Sequence, residues 1–577
     1  MSLTVNVKEK ADLIWAIADK LTGVYKPHEY GNVILPLTVI RRFDCVLSGT
    51  KQRVADAVRE TPAVYKLNEK MMDKRLRDVS GYAFYNTSPY TFETLLDDPD
   101  NIAANFRQYL AGFSANVREI IKRFNFEPEI ARMDEKNILY IVLQEFTKEK
   151  GDFHPDHISN IEMGYVFEEI IRKFSESSNE DAGQHYTPRE VIRLMVNILF
   201  MDDDEMLTSP DAIKTLYDPA CGTGGMLSVA SEYLQKLNAS ATLVPYGQEI
   251  NDQTFAICQA DTLIKGENAS HIRAGNTLAD DQFAGDTFDY ILSNPPFGRE
   301  WKNEKKAVLD EQKRGFAGRF GAGVPAIGDS QMLFLLTAVS KMKKTGSRVA
   351  IIHNGSPLFT GDAGSGPSEI RRYLLEHDLL EAIIALPNDI FYNTGIATYI
   401  WVLSNRKTPA RRGKVQLINA NGIYTKMRKS LGSKRVEITP EQIDEISRVY
   451  GDFRETEISK IFPNEAFGYQ KITVERPLLD DDGQPVKKRG KLQPDASRRD
   501  TENVPLTESI DTYLQREVLP FAPDAWVDEK KTKIGYEIPF TRYFYHYEPP
   551  QPAKEIEQDI RQIAKELDGS LEAIFRE

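Results

Sequence analysis

Cysteine is scarce in this sequence. Only Cys45, Cys221 and Cys258 occur among the 577 residues, and no two of them form a Cys-x-x-Cys pair. Neither a zinc site nor a disulfide framework is therefore indicated. We expect a chain that needs no metal and works in a reducing, cytoplasmic setting.

Long apolar runs are also missing. No stretch approaches the roughly 20 apolar residues with which a helix crosses a bilayer. Residues 1–5 lack a basic segment followed by an apolar one, so they do not resemble a signal peptide. We expect no association with a membrane.

Positive charge is not in excess. The chain has 73 Lys and Arg against 86 Asp and Glu, which gives a formal net charge of -13. Proteins that grip nucleic acid alone usually carry a basic domain. Either DNA is not the substrate, or another subunit supplies much of the contact with phosphate.

The composition that remains is ordinary for a globular protein, with 41% hydrophobic and 28% charged residues. Residues 1–150 are predicted to be helical. In residues 11–21 the apolar positions share one helical face, and further helical patterns follow near 102–124 and 136–147. Residues 33–40 fit either a strand or a longer helix with Pro36 in its first turn. We interpret this region as a packing or docking domain.

From residue 214 onward, strand and helix patterns alternate. Residues 215–217 lead into a glycine-rich turn from Asp218 to Gly225, and a helical pattern covers 226–236. The glycines let a ligand approach the backbone closely. Their spacing is not Gly-x-Gly-x-x-Gly, and no Gly-Lys-Ser/Thr follows, so a pyrophosphate or triphosphate ligand is not favoured.

Polar residues follow the next two predicted strands. Glu249 comes after the strand at 241–247, where it can accept hydrogen bonds from two ribose hydroxyls, and Asn276 follows a third short strand, where it can pair with an adenine edge. Each alone fits a plain surface turn. Ligands of open α/β sheets bind at such strand ends, so together they predict an adenosine-containing ligand, with S-adenosylmethionine as the leading candidate.

The apolar run at 288–292 ends at Asn294, Pro295, Pro296 and Phe297. The side chain of Asn294 and the backbone of Pro295 each offer a carbonyl acceptor, which suits a planar amino group. Phe297 offers a face on which a base can stack. A β-turn is the plainer interpretation of this segment alone. With the upstream pattern, it predicts methylation of an exocyclic amino group.

Two further segments are less specific. Thr187 and Pro188 are typical of a helix start, and His185 fits a loop histidine better than a metal ligand. Residues 299–319 hold seven basic residues against four acids, which suits either a solvated loop or a loop that closes on substrate phosphates. Strands at 348–352, 380–386 and 397–403 complete a predicted sheet of seven strands.

The combined motifs resemble the gamma class of amino-methylating DNA methyltransferases. They are a Gln-His-Tyr-Thr-Pro-Arg segment at 184–189, Asp-Pro-Ala-Cys-Gly-Thr-Gly-Gly at 218–225, Glu249, and Asn-Pro-Pro-Phe at 294–297. More closely, the chain resembles the modification subunit of a Type I restriction-modification system. Supporting segments lie at 17–21, 32–37, 391–396 and 468–472.

The resemblance implies an α/β fold: a seven-strand, mostly parallel Rossmann-like methyltransferase sheet at 151–410. An N-terminal helical domain at 1–150 and a C-terminal extension at 411–577 with a partner-binding helix flank it. It implies a catalytic motif at Asn294, Pro295, Pro296 and Phe297. The implied cofactor-binding residues are Gln184, His185, Tyr186, Thr187, Pro188, Arg189, Asp218, Thr223, Gly224, Gly225, Glu249 and Asn276.

Two residues depart from the family pattern. His185 stands where an aromatic residue is usual, and Asn276 stands where an Asp is common as acceptor for the cofactor adenine. The implied substrate is double-stranded DNA with a flipped adenine. The implied partners are a specificity subunit, with two modification subunits per complex, and a restriction subunit. A separate specificity subunit accounts for the acidic charge.

The chemistry expected is direct in-line transfer to the adenine N6 nitrogen. Cys221 lies in the glycine turn and no Pro-Cys nucleophile appears, so a covalent mechanism on a cytosine ring is not expected. Two other functions stay open: methylation of another planar amino group, such as protein glutamine or RNA guanine, and a catalytically silent scaffold.

The last third of the chain has three features. Residues 410–440 are basic, which suits contact with DNA or a partner as well as a solvated face, and 477–500 are predicted to be a loop or linker. A terminal helix has apolar residues three or four apart at Ile556, Ile560, Ile563, Leu567, Leu571 and Ile574. Packing on its own domain is the plainer interpretation of this helix, and the resemblance favours pairing with the specificity subunit.

Overall fold

The computed structural model describes residues 5–62, 68–176, 187–201, 203, 207–392, 394–545 and 552–574. These residues divide into two units between Ile538 and Pro539. The first unit holds a group of N-terminal helices, a large mixed sheet with its covering helices, and a smaller antiparallel sheet. The second unit is a helical tail.

The N-terminal region is helical, as predicted. Its helices are α1 (Val5–Leu21), α2 (Gly31–Leu47), α3 (Lys51–Glu60), α4 (Glu69–Ser80), α5 (Phe92–Leu95), α6 (Ile102–Ala111), α7 (Ala115–Arg123), α8 (Glu127–Glu135), α9 (Leu139–Thr147) and α10 (Asn160–Glu176). All of them except α3 and α4 contribute to one hydrophobic core, which also takes in Ala256, Ile257, Ala260 and Leu263 of the sheet region. Val54 and Ala57 of α3 and Leu76 of α4 form a small cluster of their own. The helical region therefore packs directly on the sheet region.

Residues 33–40 belong to a helix and not to a strand. The sequence analysis placed Pro36 in the first turn of this helix. Helix α2 starts at Gly31, however, so Pro36 lies beyond the first turn. The missing N–H of Pro36 would have bonded the carbonyl four residues earlier, which belongs to the first turn. Nearly every residue of α2 is buried, so packing compensates for the lost bond.

The large sheet has nine strands among the described residues. They are β1 (Ile213–Asp218), β2 (Thr242–Glu249), β3 (Ile272–Ala274), β4 (Tyr290–Ser293), β5 (Arg348–Asn354), β6 (Leu380–Ala385), β7 (Thr398–Ser404), β8 (Lys414–Asn419) and β11 (Ser459–Pro463). Their order across the sheet is β11-β8-β6-β7-β5-β4-β1-β2-β3. Strand β7 runs antiparallel to β5 and β6, β11 runs antiparallel to β8, and the other pairs are parallel.

The seven predicted strands are all present, and β8 and β11 are two more. Strand β8 pairs in parallel with β6, and β11 forms the edge beyond it. The sheet therefore continues past residue 410, where the sequence had placed the end of the methyltransferase domain. A mostly parallel sheet of this kind is nevertheless the predicted architecture.

Helices cover both faces of the central strands. Strands β4, β6 and β7 are buried at every residue, which requires cover on both sides. The helices of this region are α11 (Arg189–Phe200), α12 (Gly225–Leu237), α13 (Asp252–Ile264), α14 (Lys305–Gln312), α15 (Gln331–Ser340), α16 (Ser356–Phe359), α17 (Gly366–Glu376) and α18 (Pro440–Asp452).

The rest of the first unit is built on small antiparallel sheets. Strands β9 (Thr425–Leu431) and β10 (Lys434–Glu437) form one pair, and β12 (Gly468–Glu475) pairs with β15 (Asp500–Pro505), β16 (Trp526–Val527) and β17 (Lys533–Tyr536). The predicted loop at 477–500 contains a short hairpin of β13 (Lys487–Lys488) and β14 (Lys491–Leu492). Helix α19 (Ile510–Tyr513) follows β15.

The basic segment at 410–440 is partly internal. Arg411 is buried and donates from Nη1 to Gln416, and Lys434 is buried and donates from Nζ to Glu190. Those two cations stabilise the fold and do not face solvent. Contact with DNA or a partner stays a prediction for the exposed basic residues of this segment.

The second unit contains α20 (Phe540–Tyr543) and α21 (Ala553–Ile574). Along α21 the side chains of Ile556, Ile560, Ile563 and Leu567 are exposed. Those of Leu571 and Ile574 lie outside the described side chains. Among the helices described, none combines the length and apolar character of a membrane span.

Candidate active site

The carboxyl ends of four neighbouring strands carry the polar residues singled out in the sequence. Asp218 ends β1, Glu249 ends β2, Asn276 follows β3 and Asn294 follows β4. The strands lie side by side in the order β4-β1-β2-β3. Because neighbouring strands are about 4.8 Å apart, the four side chains form a row along one edge of the sheet.

A cavity opens along this edge, with about 1070 Å³ of empty space when the part open to solvent is included. Its lining comes from the four strand ends, the glycine turn, the helices α10, α11, α12, α13 and α15, and the segment after β4. The lining residues are Glu168, Thr187, Ile192, Asp218, Pro219, Ala220, Cys221, Gly222, Thr223, Gly225, Met226, Glu249, Ile250, Thr254, Asn276, Thr277, Leu278, Asn294, Pro296, Arg299, Glu300, Glu304, Ser330 and Phe334.

The glycine turn brings the backbone against its neighbours at two positions. Gly224 has a φ of +81°, and a Cβ there would lie 2.7 Å from Sγ of Cys258. A Cβ on Gly225 would lie 2.8 Å from Nη1 of Arg189. A side chain at either position would clash with these neighbours and displace the turn. Helix α12 starts at Gly225, so its unpaired backbone N–H groups lie at the cavity wall.

Asp218 places a partly unsatisfied carboxylate in the cavity. Its Oδ1 accepts from the backbone N–H of Ala220 at 3.0 Å and from Oγ of Ser293 at 2.8 Å. Its Oδ2 is buried and has no hydrogen-bond partner in the described part of the chain. Burial raises the pKa of this carboxyl to about 7. A ligand that donates a hydrogen bond or carries positive charge would satisfy Oδ2.

Glu249 is fixed by the turns on both sides. Its Oε2 accepts from the backbone N–H of Gly222 at 2.8 Å, and its Oε1 accepts from that of Asn251 at 2.8 Å. Burial raises the pKa of this carboxyl above its ordinary value. Each oxygen keeps a second lone pair, so the held carboxylate can still accept from two hydroxyls of a ligand.

The amide of Asn294 has a fixed orientation. Its Nδ2 donates to Oγ1 of Thr187 at 2.9 Å, and that hydroxyl is placed to donate to Sδ of Met226 at 3.7 Å. Because the single hydroxyl proton goes to sulfur, the hydroxyl accepts from Asn294. Oδ1 is therefore the atom of this amide that can accept from an amino group.

The other residues of the Asn-Pro-Pro-Phe motif differ in position. Pro296 lines the cavity, whereas Pro295 and Phe297 are not among the lining residues. The ring of Phe297 is buried in the core, with its centroid 6.3 Å from that of Phe391 at an interplanar angle of 78°. Stacking of a base on Phe297 stays a prediction.

The structure describes only residues 187–189 of the cofactor-binding segment implied at 184–189. Gln184, His185 and Tyr186 lie outside the described residues. Neither Pro188 nor Arg189 is among the lining residues. Arg189 instead contacts two residues that do line the cavity, Gly225 and Glu168. The Arg189 guanidinium donates to the backbone oxygen of Gly225 at 2.8 Å and to Oε1 of Glu168 at 2.5 Å.

Asn276 is tied to a residue that sequence reasoning missed. Its Nδ2 donates to Oε1 of Glu304 at 2.6 Å. Glu304 lies in the segment 299–319, between Trp301, which is buried, and α14. The number of charged residues in that segment does not indicate which of its four acids is buried, so Glu304 could not be singled out from the sequence.

The segment 299–319 is anchored to the domain. Val308 is buried, and the guanidinium of Arg319 donates to Oε2 of Glu311 at 2.7 Å and to the backbone oxygen of Thr277 at 2.6 Å. One of its seven basic residues is thus held internally. Contact of the other basic residues with phosphate stays a prediction.

Comparison with known families identifies the sheet region. A family model described as N-6 DNA Methylase matches residues 159–468, which is more than half of the chain. The chain belongs to the N-6 DNA Methylase family. A second model, described as HsdM N-terminal domain, matches residues 11–146.

Named relatives agree with this membership. The chain is similar to the Type I restriction enzyme MjaIX methylase subunit of Methanocaldococcus jannaschii, with 24% identity over 446 residues, or 75% of each chain. It is also similar to the Type I restriction enzyme EcoEI methylase subunit of Escherichia coli, with 28% identity over 329 residues, or 55% of this chain and 60% of that one.

A solved structure shares the fold. The methyltransferase subunit of the type I restriction-modification system from Streptococcus thermophilus superposes with a TM-score of 0.60 at 21% identity. The match covers 80% of this chain and 97% of that chain. At this level of identity the likeness shows that the two chains share a fold.

Proposed function

We propose that this chain transfers a methyl group from S-adenosylmethionine to the N6 nitrogen of an adenine in DNA. We propose further that it does so as the modification subunit of a Type I restriction-modification complex. The observation that carries the proposal is the oriented amide of Asn294, which lies at one end of a cavity whose other strand ends carry Asp218 and Glu249. Membership in the N-6 DNA Methylase family supports it.

The residues of the cavity fit an adenosine-containing cation. Oδ2 of Asp218 is a buried acceptor without a partner in the described chain, and it suits a positively charged ligand. Glu249 holds two acceptor oxygens that suit a ribose diol. Gly224 and Gly225 let the turn pack against Cys258 and Arg189, which holds its backbone in the cavity wall. When bound, S-adenosylmethionine supplies an electrophilic methyl group on its sulfonium.

Asn294 prepares the acceptor amino group. Oδ1 of Asn294 and the backbone oxygen of Pro295 accept the two amino hydrogens of the target adenine. With both hydrogens held by carbonyls, the nitrogen lone pair is less delocalised into the ring and is available for attack. Thr187 fixes the amide so that Oδ1, and not Nδ2, faces the amino group.

Partner subunits account for recognition of the DNA. A chain with a net charge of -13 is poorly suited to hold a duplex alone, so a specificity subunit is proposed to read the sequence and to supply phosphate contacts. The proposed complex contains two modification subunits for each specificity subunit, together with a restriction subunit. It acts on double-stranded DNA with the target adenine flipped out, in the cytoplasm.

Methyl transfer tests the proposal directly. Labelled S-adenosylmethionine and unmethylated DNA are incubated with this chain, with and without its specificity subunit, and the modified base is identified. We expect N6-methyladenine only in the paired sample, and none with Asn294→Ala. Labelled DNA without the partner would contradict the Type I assignment. Label found only in protein or RNA would show that the chain methylates another planar amino group and not adenine in DNA.

A further inference from the structure

Both polar groups of the Asn276 side chain are used within the protein. Its Oδ1 accepts from the backbone N–H of Leu278 at 3.0 Å and of Ala279 at 3.3 Å, which closes the turn after β3. Its Nδ2 donates to Glu304 at 2.6 Å. The acceptor atom of Asn276 therefore belongs to its own turn, and the residue is poorly placed to accept from the amino group of an adenine.

Glu304 offers the acceptor that Asn276 does not. It is 6% exposed and lines the cavity. Its Oε1 is taken by Asn276, whereas Oε2 is buried and has no hydrogen-bond partner among the residues that the structure describes. A buried carboxylate oxygen in this state is unfavourable unless a ligand donates to it.

The backbone around Glu304 is held in place. Trp301, three residues earlier, is 2% exposed, and its Nε1 donates to the backbone oxygen of Ala326 at 2.9 Å. Its backbone N–H donates to the oxygen of Ile327 at 3.0 Å. Helix α14 starts directly after Glu304. These contacts hold the backbone on both sides of Glu304, so its carboxylate has a fixed position in the cavity wall.

Glu304 lies at the nucleoside end of the cavity. Through Asn276 it is joined to the tip of β3, which neighbours β2 and its Glu249 and is three strands away from β4 and its Asn294. Three strand spacings amount to about 14 Å. A carboxylate in this position is close to the proposed ribose site and remote from the methyl acceptor.

We propose that Oε2 of Glu304 accepts a hydrogen bond from the 6-amino group of the cofactor's adenine, with Asn276 as its positioning residue. This inference rests on the proposed use of S-adenosylmethionine. Leu278 and Phe334, which also line the cavity, supply apolar surface suited to a purine ring. Glu304 thus takes the role that the sequence had assigned to position 276.

The pairing sets the purine specificity of the site. An ionised carboxylate oxygen only accepts hydrogen bonds, so it favours an amino group at C6. A purine with hydrogen in place of the amino group at C6 leaves Oε2 of Glu304 without a donor. A purine with a carbonyl at C6 places its oxygen, which is also an acceptor, against Oε2. Both analogues should bind more weakly than the adenine form.

Glu304→Gln tests the inference well because neither orientation of the glutamine amide can accept from both Asn276 and the adenine amino group. If its oxygen takes the bond from Asn276, its NH2 faces the amino group of adenine, donor against donor. If it is turned round, its NH2 faces Nδ2 of Asn276, which cannot turn because its Oδ1 is held by the backbone. Asp310→Asn, an exposed carboxylate on α14, makes the same chemical change outside the cavity and serves as control.

Calorimetric binding of S-adenosylhomocysteine, and of its analogue with hydrogen in place of the 6-amino group, tests the inference on the full chain. We expect the unmodified chain and Asp310→Asn to bind the analogue about tenfold or more weakly than the parent compound. Glu304→Gln should bind the parent compound about tenfold more weakly and lose the preference between the two ligands. Preference retained in Glu304→Gln would overturn the inference.

Asn276→Asp provides a second test that does not depend on the stability of Glu304→Gln. If Glu304 is the acceptor, the new carboxylate faces Glu304 without a proton to donate, and binding of S-adenosylhomocysteine weakens. If position 276 were itself the acceptor, binding would strengthen, which would overturn the inference. Failure of the unmodified chain to bind S-adenosylhomocysteine would instead overturn the proposed cofactor, and the inference with it.

Discussion

Nδ2 of Asn294 donates a hydrogen bond of 2.9 Å to Oγ1 of Thr187, across 107 positions of sequence. Thr187 precedes α11, whereas Asn294 follows β4 in the middle of the sheet. The bond therefore joins two motifs that the sequence shows only as separate segments. It also decides which end of the amide faces the cavity, and so it connects local packing with the proposed chemistry.

Thr187→Val should lower the rate of methyl transfer more than the affinity for cofactor. The valine keeps the shape and loses the acceptor, which leaves Nδ2 of Asn294 without this partner and lets the amide turn. A cost of about 1–3 kcal/mol corresponds to a roughly 5- to 150-fold lower kcat. Thr187→Ser keeps the hydroxyl and is the matched control. Single-turnover methyl transfer and S-adenosylhomocysteine binding separate the two effects, and an equal loss in both would assign Thr187 to cofactor binding.

Asp218 should make the free chain less stable as pH rises. Burial raises its pKa from 3.8 to about 7. Below about pH 4 the carboxyl is protonated in both states. Between pH 4 and 7 the unfolded chain ionises it while the folded chain keeps the proton, so the free energy of unfolding falls as pH rises. Above pH 7 the loss is complete.

Asp218→Asn removes this dependence. Relative to the unmodified chain, the variant should gain about 2–3 kcal/mol of unfolding free energy between pH 5 and pH 8. Urea unfolding at the two pH values measures the gain, and the exposed Asp134→Asn is the control. The same variant should bind S-adenosylmethionine at least about tenfold more weakly, because Oδ2 no longer faces the cavity. Equal pH dependence in both chains would show that Asp218 titrates normally.

Arg189 should stabilise the fold and not contact the ligand. It joins the carboxylate of Glu168 to the backbone of Gly225, and its side chain is 4% exposed. Arg189→Met leaves the carboxylate of Glu168 buried without its partner, which costs about 3–5 kcal/mol of unfolding free energy. The double variant Arg189→Met, Glu168→Leu should recover much of that loss.

Urea unfolding and S-adenosylhomocysteine binding distinguish the two roles of Arg189. A supporting role predicts lower stability in the single variant and recovered binding in the double variant. The family resemblance implies that Arg189 is one of the cofactor-binding residues. Weaker binding in a variant of unchanged stability would support that assignment over the supporting role.

The large sheet was largely predictable because its inner strands are short, continuous apolar runs. Residues of β4 and β6 are buried on both faces, so their sequences show burial directly. Strand β11 was missed because an edge strand has only one paired side and tolerates polar residues. Strand β8 was missed because it lies inside a segment whose basic residues dominated the interpretation.

The candidate site was predictable where strand ends define it and not where tertiary contacts do. Asp218, Glu249 and Asn294 follow apolar runs at positions where ligands of such sheets bind. Glu304 lies in a charged segment with no periodic pattern, and its burial depends on Trp301 docking against Ala326. Hydrogen-bond partners remote in sequence leave no local signal, so the role proposed for Glu304 can be inferred only from the folded chain.

The tail helix α21 should bind a partner through its apolar stripe. Ile556, Ile560, Ile563 and Leu567 are exposed and recur at intervals of three or four residues, which places them on one face of the helix. Such a stripe along a helix is typical of a surface that pairs with another helix. The family resemblance favours the specificity subunit as that partner.

Ile560→Asp should therefore abolish co-purification of this chain with the specificity subunit. One buried charge in a helix pair costs several kcal/mol, enough to lower the affinity more than about a hundredfold. Gln558→Asp adds the same charge on a different face of α21 and should leave the complex intact. Binding of S-adenosylhomocysteine should be unchanged in both variants, since α21 belongs to the second unit and the cavity lies in the first. A complex that survives Ile560→Asp would mean that the stripe serves another contact, and that the specificity subunit binds through the first unit.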